Sequence, residues 1–483
     1  MKKNLSLLCD FYEFTMANGY LKSGLAEKIC YFEVYFRRAP DNSSFVITAG
    51  LERILQFICD LHFDEEDIEF FRKKGIFSEE FLEFLANFKF SGDVWAMREG
   101  EVAFAHEPIL IIKAPAAQAQ LLETFLLLTL NHQSLIATKA SRVVRAARGR
   151  AVLEFGSRRA QGTDAALSGA RAAFIGGVDA TACALADKLW GIEASGTMAH
   201  SWVQMFESEL EAFVRYCEIY PQNAVLLVDT YDAKKGIANA IKAFKQTLVP
   251  RGITKCGIRI DSGDLQELSH YARTELDNAG LGECKIVVSG ALDEFKIDEL
   301  SGAKIDAFGV GERLITSQSS PVLGCVYKLC AIQEGDKIVP KMKVSESPHK
   351  ISNPHLKRLY RVFDANGAAC FDALCLASEE LGEAVSSDEL SEFCEGFKAE
   401  FAQIKEARFV AKELLFKVVE NGELIYALPT AAQIRDYAKS RLETLSFEHK
   451  SLYTPKSYDL LLSKRLSELK MRMLNEAKSE QLI

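Results

Sequence analysis

The sequence predicts an α/β protein: parallel βα units at its centre, a mixed α/β region before them and a helix-rich region after. Five short apolar runs predict it, at 152–156, 224–232, 257–264, 286–293 and 305–311, each followed by a helical pattern or a polar turn. Buried strands alternating with helices form parallel sheets. Every run also ends in Gly, Asp, Ser, Thr or Arg residues, which places polar groups on one rim. That arrangement fits a closed βα barrel better than an open doubly wound sheet. No G-x-G-x-x-G and no G-x-x-x-x-G-K-[ST] stands at a strand–helix junction, so the two common nucleotide-binding loops are not expected.

In order, 7–21 reads as helix and 29–36 (ICYFEVYF) as strand. A short strand at 45–47 passes through Gly50 into a helix. Charged helix follows over 64–87, then short strands at 94–97 and 102–105 around Gly100. Region 1–110 is therefore an α/β sandwich. The long helix 121–148 turns from apolar to basic and introduces the barrel region, 111–335. Region 336–483 starts with a basic segment, 341–361, broken by Pro348 and Pro354. The remainder reads as charged helix, amphipathic from 455 to 482.

Composition narrows the function. The 483 residues are 48% hydrophobic and 26% charged, with a net charge of −9. Wholesale binding to nucleic acid or an anionic membrane is disfavoured, and an anionic ligand needs a local basic pocket. The opening MKKNLSLLCDFYEF is interrupted by Asp10 and Glu13 and is not read as a signal peptide. The apolar run 121–130 contains Glu123 and is too short to span a bilayer. Twelve cysteines without a C-x-x-C suit reduced thiols in a cytoplasm. Cys325/Cys330 and Cys370/Cys375 are read as buried thiols, since structural zinc pairs usually sit closer.

Several strand ends carry chemistry. Ser289-Gly290 and Gly309-Val310-Gly311 offer bare backbone N–H groups of the kind that cradle phosphate, although either can be a simple turn. Arg259, Asp261, Ser262 and Asp264 share one strand end and suit a sugar phosphate or Mg²⁺, or equally a structural ion network. Asp229, Thr230 and Asp232 repeat that character one unit earlier. His200 lies in the polar stretch Gly196-Thr197-Met198-Ala199-His200-Ser201, where an imidazole can be base, metal ligand or nucleophile. Tyr12 and Phe155 can sandwich a planar ring or simply fill the core.

The blocks LCDFYEFTMANGY, FKFSGDVWAMREGEV, HQSLIATKA, EFGSRRAQGTDAALSGARAAFIGGVDAT, GTMAHSWVQ, RIDSGDL and DAFGVGERLITS resemble, in this order, the nicotinate phosphoribosyltransferase family. The resemblance runs from Leu5 to the C-terminal helix. It implies a type II phosphoribosyltransferase: an irregular βα barrel with an N-terminal α/β sandwich and a C-terminal part, 336–483, returning to that first domain, working as a homodimer with shared active sites. The implied reaction converts nicotinate and 5-phosphoribosyl 1-diphosphate to nicotinate mononucleotide and diphosphate. ATP is hydrolysed as co-substrate and Mg²⁺ assists, in the salvage route to NAD.

By position, the resemblance makes His200 the transiently phosphorylated residue. Phe155 would stack on the pyridine ring, with Tyr12 closing the sandwich from a partner subunit. Arg158 and Arg159 would face the anionic end of the substrates, and Asp179 would lie on the ring-recognition strand. Thr197 and Asp229 join the substrate site. Arg259, Asp261 and Ser262 would hold ribose and diphosphate, and Ser289, Gly290, Gly309 and Gly311 the 5-phosphate. Arg37 and the lysines of 341–361 would reach phosphates across the dimer. No metal ligands are assigned.

Two positions depart from the family pattern. Pro354-His355 replaces the usual Pro-Gly, and Glu312 replaces a common Thr after Gly-Val-Gly, where its charge is expected to repel phosphate unless turned away. A nicotinamide-specific relative and a non-catalytic nucleotide sensor on the same fold are the competing expectations.

Overall fold

The computed structural model describes residues 4–397 and 408–480. The chain forms two compact units, one of Met1–Leu135, Val322–Pro429 and Asp436–Ile483, the other of Ile136–Pro321 and Thr430–Arg435. The last residues of the expected C-terminal helix, 481–482, lie outside the described residues.

In the first unit a seven-stranded sheet is organised around Ile29–Phe36, which pairs antiparallel with Cys325–Glu334 on one side and Leu110–Pro115 on the other. Aromatic and β-branched residues favour this strand, and nearly all of it is buried. Glu33, in its middle, is held by Lys357 Nζ at 2.9 Å, both side chains being almost fully buried. Lys357 also donates to the carbonyls of Asn353 and His355, at 2.9 and 2.6 Å. It thereby ties down the end of the basic segment. His355 takes a left-handed backbone there, φ 73°, a conformation that suits glycine.

The barrel region is narrower than the expected 111–335. Leu110–Pro115 and Cys325–Glu334 both hydrogen-bond into the first unit's sheet, which claims those ends. The tail also departs from the expected charged helix. Lys357–Phe363, Ala369–Leu376, Ala384–Ser386, Arg408–Glu413 and Leu460–Leu462 form a five-stranded sheet, and helix returns at Ala431–Glu443 and Lys464–Glu480. Some of the charges that break the apolar pattern here are turned inward. Arg361 pairs with Asp372 at 2.7 Å and Glu101 at 2.9 Å, all of them buried.

In the second unit six strands run parallel, in the order Ala180–Thr181, Ala151–Glu154, Ala307–Val310, Lys285–Ser289, Cys256–Ile260, Ala224–Leu227. Among the described residues the two edge strands do not pair with each other, so the barrel is a curled half-barrel. An isolated parallel bridge from Thr181 to Ala194 extends one edge. Val152, Ile258, Ile286, Val288, Phe308 and Val310 are fully buried, as expected of strands with both faces covered. Among the described residues no helix is long and apolar enough to cross a membrane.

Candidate active site

The C-terminal ends of neighbouring strands converge, and a chain of polar contacts fixes their spacing. Asp229 follows Ala224–Leu227. Its Oδ2 accepts the Asp261 backbone N–H at 3.0 Å and the Ser262 hydroxyl at 2.6 Å. Asp261 in turn accepts a short hydrogen bond from the Ser289 hydroxyl on the next strand. Gly290 follows with φ 92°, and a Cβ there would stand 2.2 Å from the Asp261 carbonyl oxygen. Only glycine allows both that conformation and that approach. The loop beyond is anchored at Glu294, buried between Lys139 and Arg142, each 2.8 Å away.

Arg259 ties this row to the histidine segment. Its Nη1 donates to Thr197 Oγ1 at 3.1 Å and its Nη2 to the Met198 carbonyl at 2.7 Å, while Nε is buried without a partner. Burial pulls its pKa down, opposed by Asp261 and Asp229. From behind, Tyr216 donates its hydroxyl to the Thr197 carbonyl at 3.1 Å, and Trp202 Nε1 donates to Ala212 at 3.2 Å. The segment then enters a short helix, His200–Gln204. His200 is half-buried, its Nδ1 lying 3.2 Å from Thr230 Oγ1. Gly196, Thr197, Met198, Trp202, Tyr216 and Tyr220 are among the lining of a cleft of about 480 Å³.

On the other flank, Phe155 leaves Ala151–Glu154 and lays its ring along Gly309, where a Cβ would come within 2.5 Å of Phe155 Cδ2. Gly311 lies next to the Phe155 carbonyl. The turn is shaped by Glu154, a fully buried carboxylate that accepts from the Gly156 N–H and, at 2.7 Å, from Thr181 Oγ1. Burial raises its pKa, and these two donors oppose the rise. Arg158 and Arg159 are exposed on the next turn. Arg158 has no ion-pair partner among the described residues, whereas Arg159 Nε stands 3.6 Å from Glu312 Oε2. The expected repulsion from Glu312 is thus partly met by a neighbouring cation.

Of the residues expected at the site, the structure gathers His200, Thr197, Asp229, Arg259, Asp261, Ser262, Ser289 and Gly290 into one contact network. Phe155, Arg158, Arg159, Gly309 and Gly311 gather beside Glu312 on the adjoining strand ends. Asp179 falls elsewhere. It precedes its strand, so its Oδ2 accepts from the Val152 N–H near the start of the sheet, and its Oδ1 pairs with Arg435, each at 2.9 Å. Tyr12 and Arg37 belong to the first unit, Tyr12 on Phe11–Lys22 and 44% exposed. Glu154, Thr181 and Tyr216 were not anticipated. The first two occupy strand ends of the same sheet, the position that flagged the others.

Fold and rim together define an α/β enzyme that presents arginines, carboxylates and glycine amides at the C-terminal edge of a parallel sheet. Family models describing the N-terminal domain of nicotinate phosphoribosyltransferase, the nicotinate phosphoribosyltransferase family and its C-terminal domain match residues 7–131, 151–365 and 356–470. A Bacillus subtilis nicotinate phosphoribosyltransferase is 39% identical over 482 residues, covering 99% of this chain and 96% of its own. A Mycobacterium tuberculosis relative bearing the same enzyme name is 38% identical, with 95% and 92% covered. The crystal structure of human nicotinic acid phosphoribosyltransferase superposes with a TM-score of 0.80 at 28% identity, covering 96% and 99% of the two chains. The chain belongs to the nicotinate phosphoribosyltransferase family.

Proposed function

We propose that this chain joins nicotinate to 5-phosphoribosyl 1-diphosphate, forming nicotinate mononucleotide and diphosphate in NAD salvage, with ATP hydrolysis coupled through a phosphohistidine at His200. The observation that carries the reading is the clamp of Arg259 on Thr197 and Met198. It joins the polyanion-binding strand ends to the segment that presents His200. In the transfer, the pyridine nitrogen forms a bond to ribose C1 as the C1–O bond to diphosphate breaks, leaving its electron pair on the departing oxygen. Arg259 and Arg158 counter the charge that develops there. Asp261 and Ser262 hold the ribose hydroxyls, while Ser289, Gly290, Gly309 and Gly311 hold the 5-phosphate. Phe155 supports the pyridine ring. In the coupling step an imidazole nitrogen of His200 forms a bond to the γ-phosphorus of ATP as the bond to the ADP oxygen breaks, and water later cleaves the N–P bond, releasing phosphate and restoring the imidazole.

Mg²⁺, when bound, neutralises the diphosphate. Asp229 is the residue suited to hold it with Asp261, since Asp229 Oδ1 is buried without a donor. Among the described residues no group of three or more His, Cys, Asp or Glu side chains makes a ready metal site. A Mg²⁺ ion is commonly held by one or two carboxylates together with substrate phosphates. The enzyme acts as a homodimer in the cytoplasm, Tyr12 of one copy serving the site of the other.

Product identification tests the reading. Purified enzyme with the sugar diphosphate, Mg²⁺ and ATP should convert labelled nicotinate to the mononucleotide. Turnover of nicotinamide alone, or binding without product over hours, would overturn it.

A further inference from the structure

We infer that Glu312 is an internal competitor for the anion site: it occupies Arg159 in the free enzyme and yields it when a phosphate or diphosphate group arrives. The inference rests on the reading of this rim as a phosphate-binding edge, and it names a residue that sets affinity there.

Three observations support it. Arg159 Nε and Glu312 Oε2 are 3.6 Å apart, with their side chains 61% and 53% exposed. The contact is therefore made in water and is weak enough to exchange. Second, both backbones are fixed, so only side chains need move. The Arg159 N–H donates to the Gly156 carbonyl at 2.7 Å, and the Glu312 carbonyl accepts from Thr316 N at 3.1 Å and Thr316 Oγ1 at 2.7 Å. Third, the neighbouring charges are otherwise disposed. Arg313 is paired with Asp293, and Arg158 has no ion pair among the described residues. Glu312 thus subtracts one of two adjacent guanidinium groups from a rim that also carries Gly309 and Gly311. An anionic ligand regains that group by outcompeting a single exposed carboxylate.

Titration calorimetry with inorganic diphosphate tests this on the whole 483-residue chain, comparing wild type, Glu312→Gln, Arg159→Gln and the double variant. Removing the competitor should tighten diphosphate binding about two- to fivefold at low salt, the range of an exposed ion pair. The gain should shrink in 0.5 M salt, on the order of a 4 Å Debye length. It should vanish when Arg159 is already Gln. Equal or weaker binding by Glu312→Gln, or a full gain retained in the Arg159→Gln background, overturns the inference. Glu312→Thr provides a second neutral side chain should Gln disturb the turn. Steady-state assay should place the effect in KM for the sugar diphosphate and leave kcat alone. Should diphosphate bind as expected while nicotinate is not turned over, the proposed reaction fails and the competitor role stands.

Discussion

Asp229 Oδ2 accepts the backbone N–H of Asp261 at 3.0 Å, so one carboxylate sets the spacing between two neighbouring strand ends. The same oxygen accepts the Ser262 hydroxyl, while Oδ1 is buried with no donor. One half of the side chain is structural, and the other is the half that the proposed reaction assigns to Mg²⁺.

Asp229→Asn and Asp229→Ala should therefore differ. Asn keeps an acceptor for Asp261 and Ser262 but removes the charge. It should leave the melting temperature within about 2 °C of wild type while losing roughly 100-fold in Mg²⁺-dependent kcat. Ala removes both and should also cost about 1–3 kcal/mol of stability by urea unfolding. Comparable activity in Asn and wild type would remove Asp229 from the chemistry.

Gly290→Ala should be severe. The added Cβ would meet the Asp261 carbonyl at 2.2 Å in a backbone with φ 92°, so the loop must move. The expected cost is roughly 2–4 kcal/mol in stability. A loop displaced by about 1 Å should also lose on the order of 100-fold in kcat/KM. Thermal unfolding and initial rates measure the two effects separately.

A pH dependence follows from Glu107, buried beside Asp372 and Arg361. Burial first, then the Asp372 charge, pushes its pKa well above the ordinary carboxyl value, against the pull of Arg361. A raised folded-state pKa contributes stability that is present below the unfolded value near 4.3 and is lost as pH rises toward the folded one. Glu107→Gln removes that titration. The variant should gain on wild type by about 1.4 kcal/mol per pH unit across that window, read from urea unfolding at several pH values. A difference independent of pH would mean that Glu107 is charged in the folded protein.

Much of this architecture was legible in the sequence because parallel strands leave a simple signature. The run read at 257–264 contains Gly257 to Ile260 of the strand Cys256–Ile260 and its polar rim, and 286–293 likewise contains Ile286 to Ser289. Leu110–Pro115 escaped notice because five of its six residues are buried, so no alternation marks it as a strand. The sheet of the tail was hidden for the opposite reason. Arg361 and Asp372 look like a solvated helix face, yet they satisfy each other inside the fold. At the site, rim residues declare themselves by following an apolar run. Asp179 precedes its strand by one residue, and chain position alone did not reveal that its carboxylate is spent on the Val152 amide.

In the proposed mechanism His200 carries a phosphoryl group from ATP during turnover. Wild-type enzyme incubated with γ-labelled ATP should incorporate acid-labile, alkali-stable label, and His200→Asn should incorporate none while keeping its melting temperature. Equal labelling of the two proteins, or no label in wild type under conditions where nicotinate is turned over, would contradict the account.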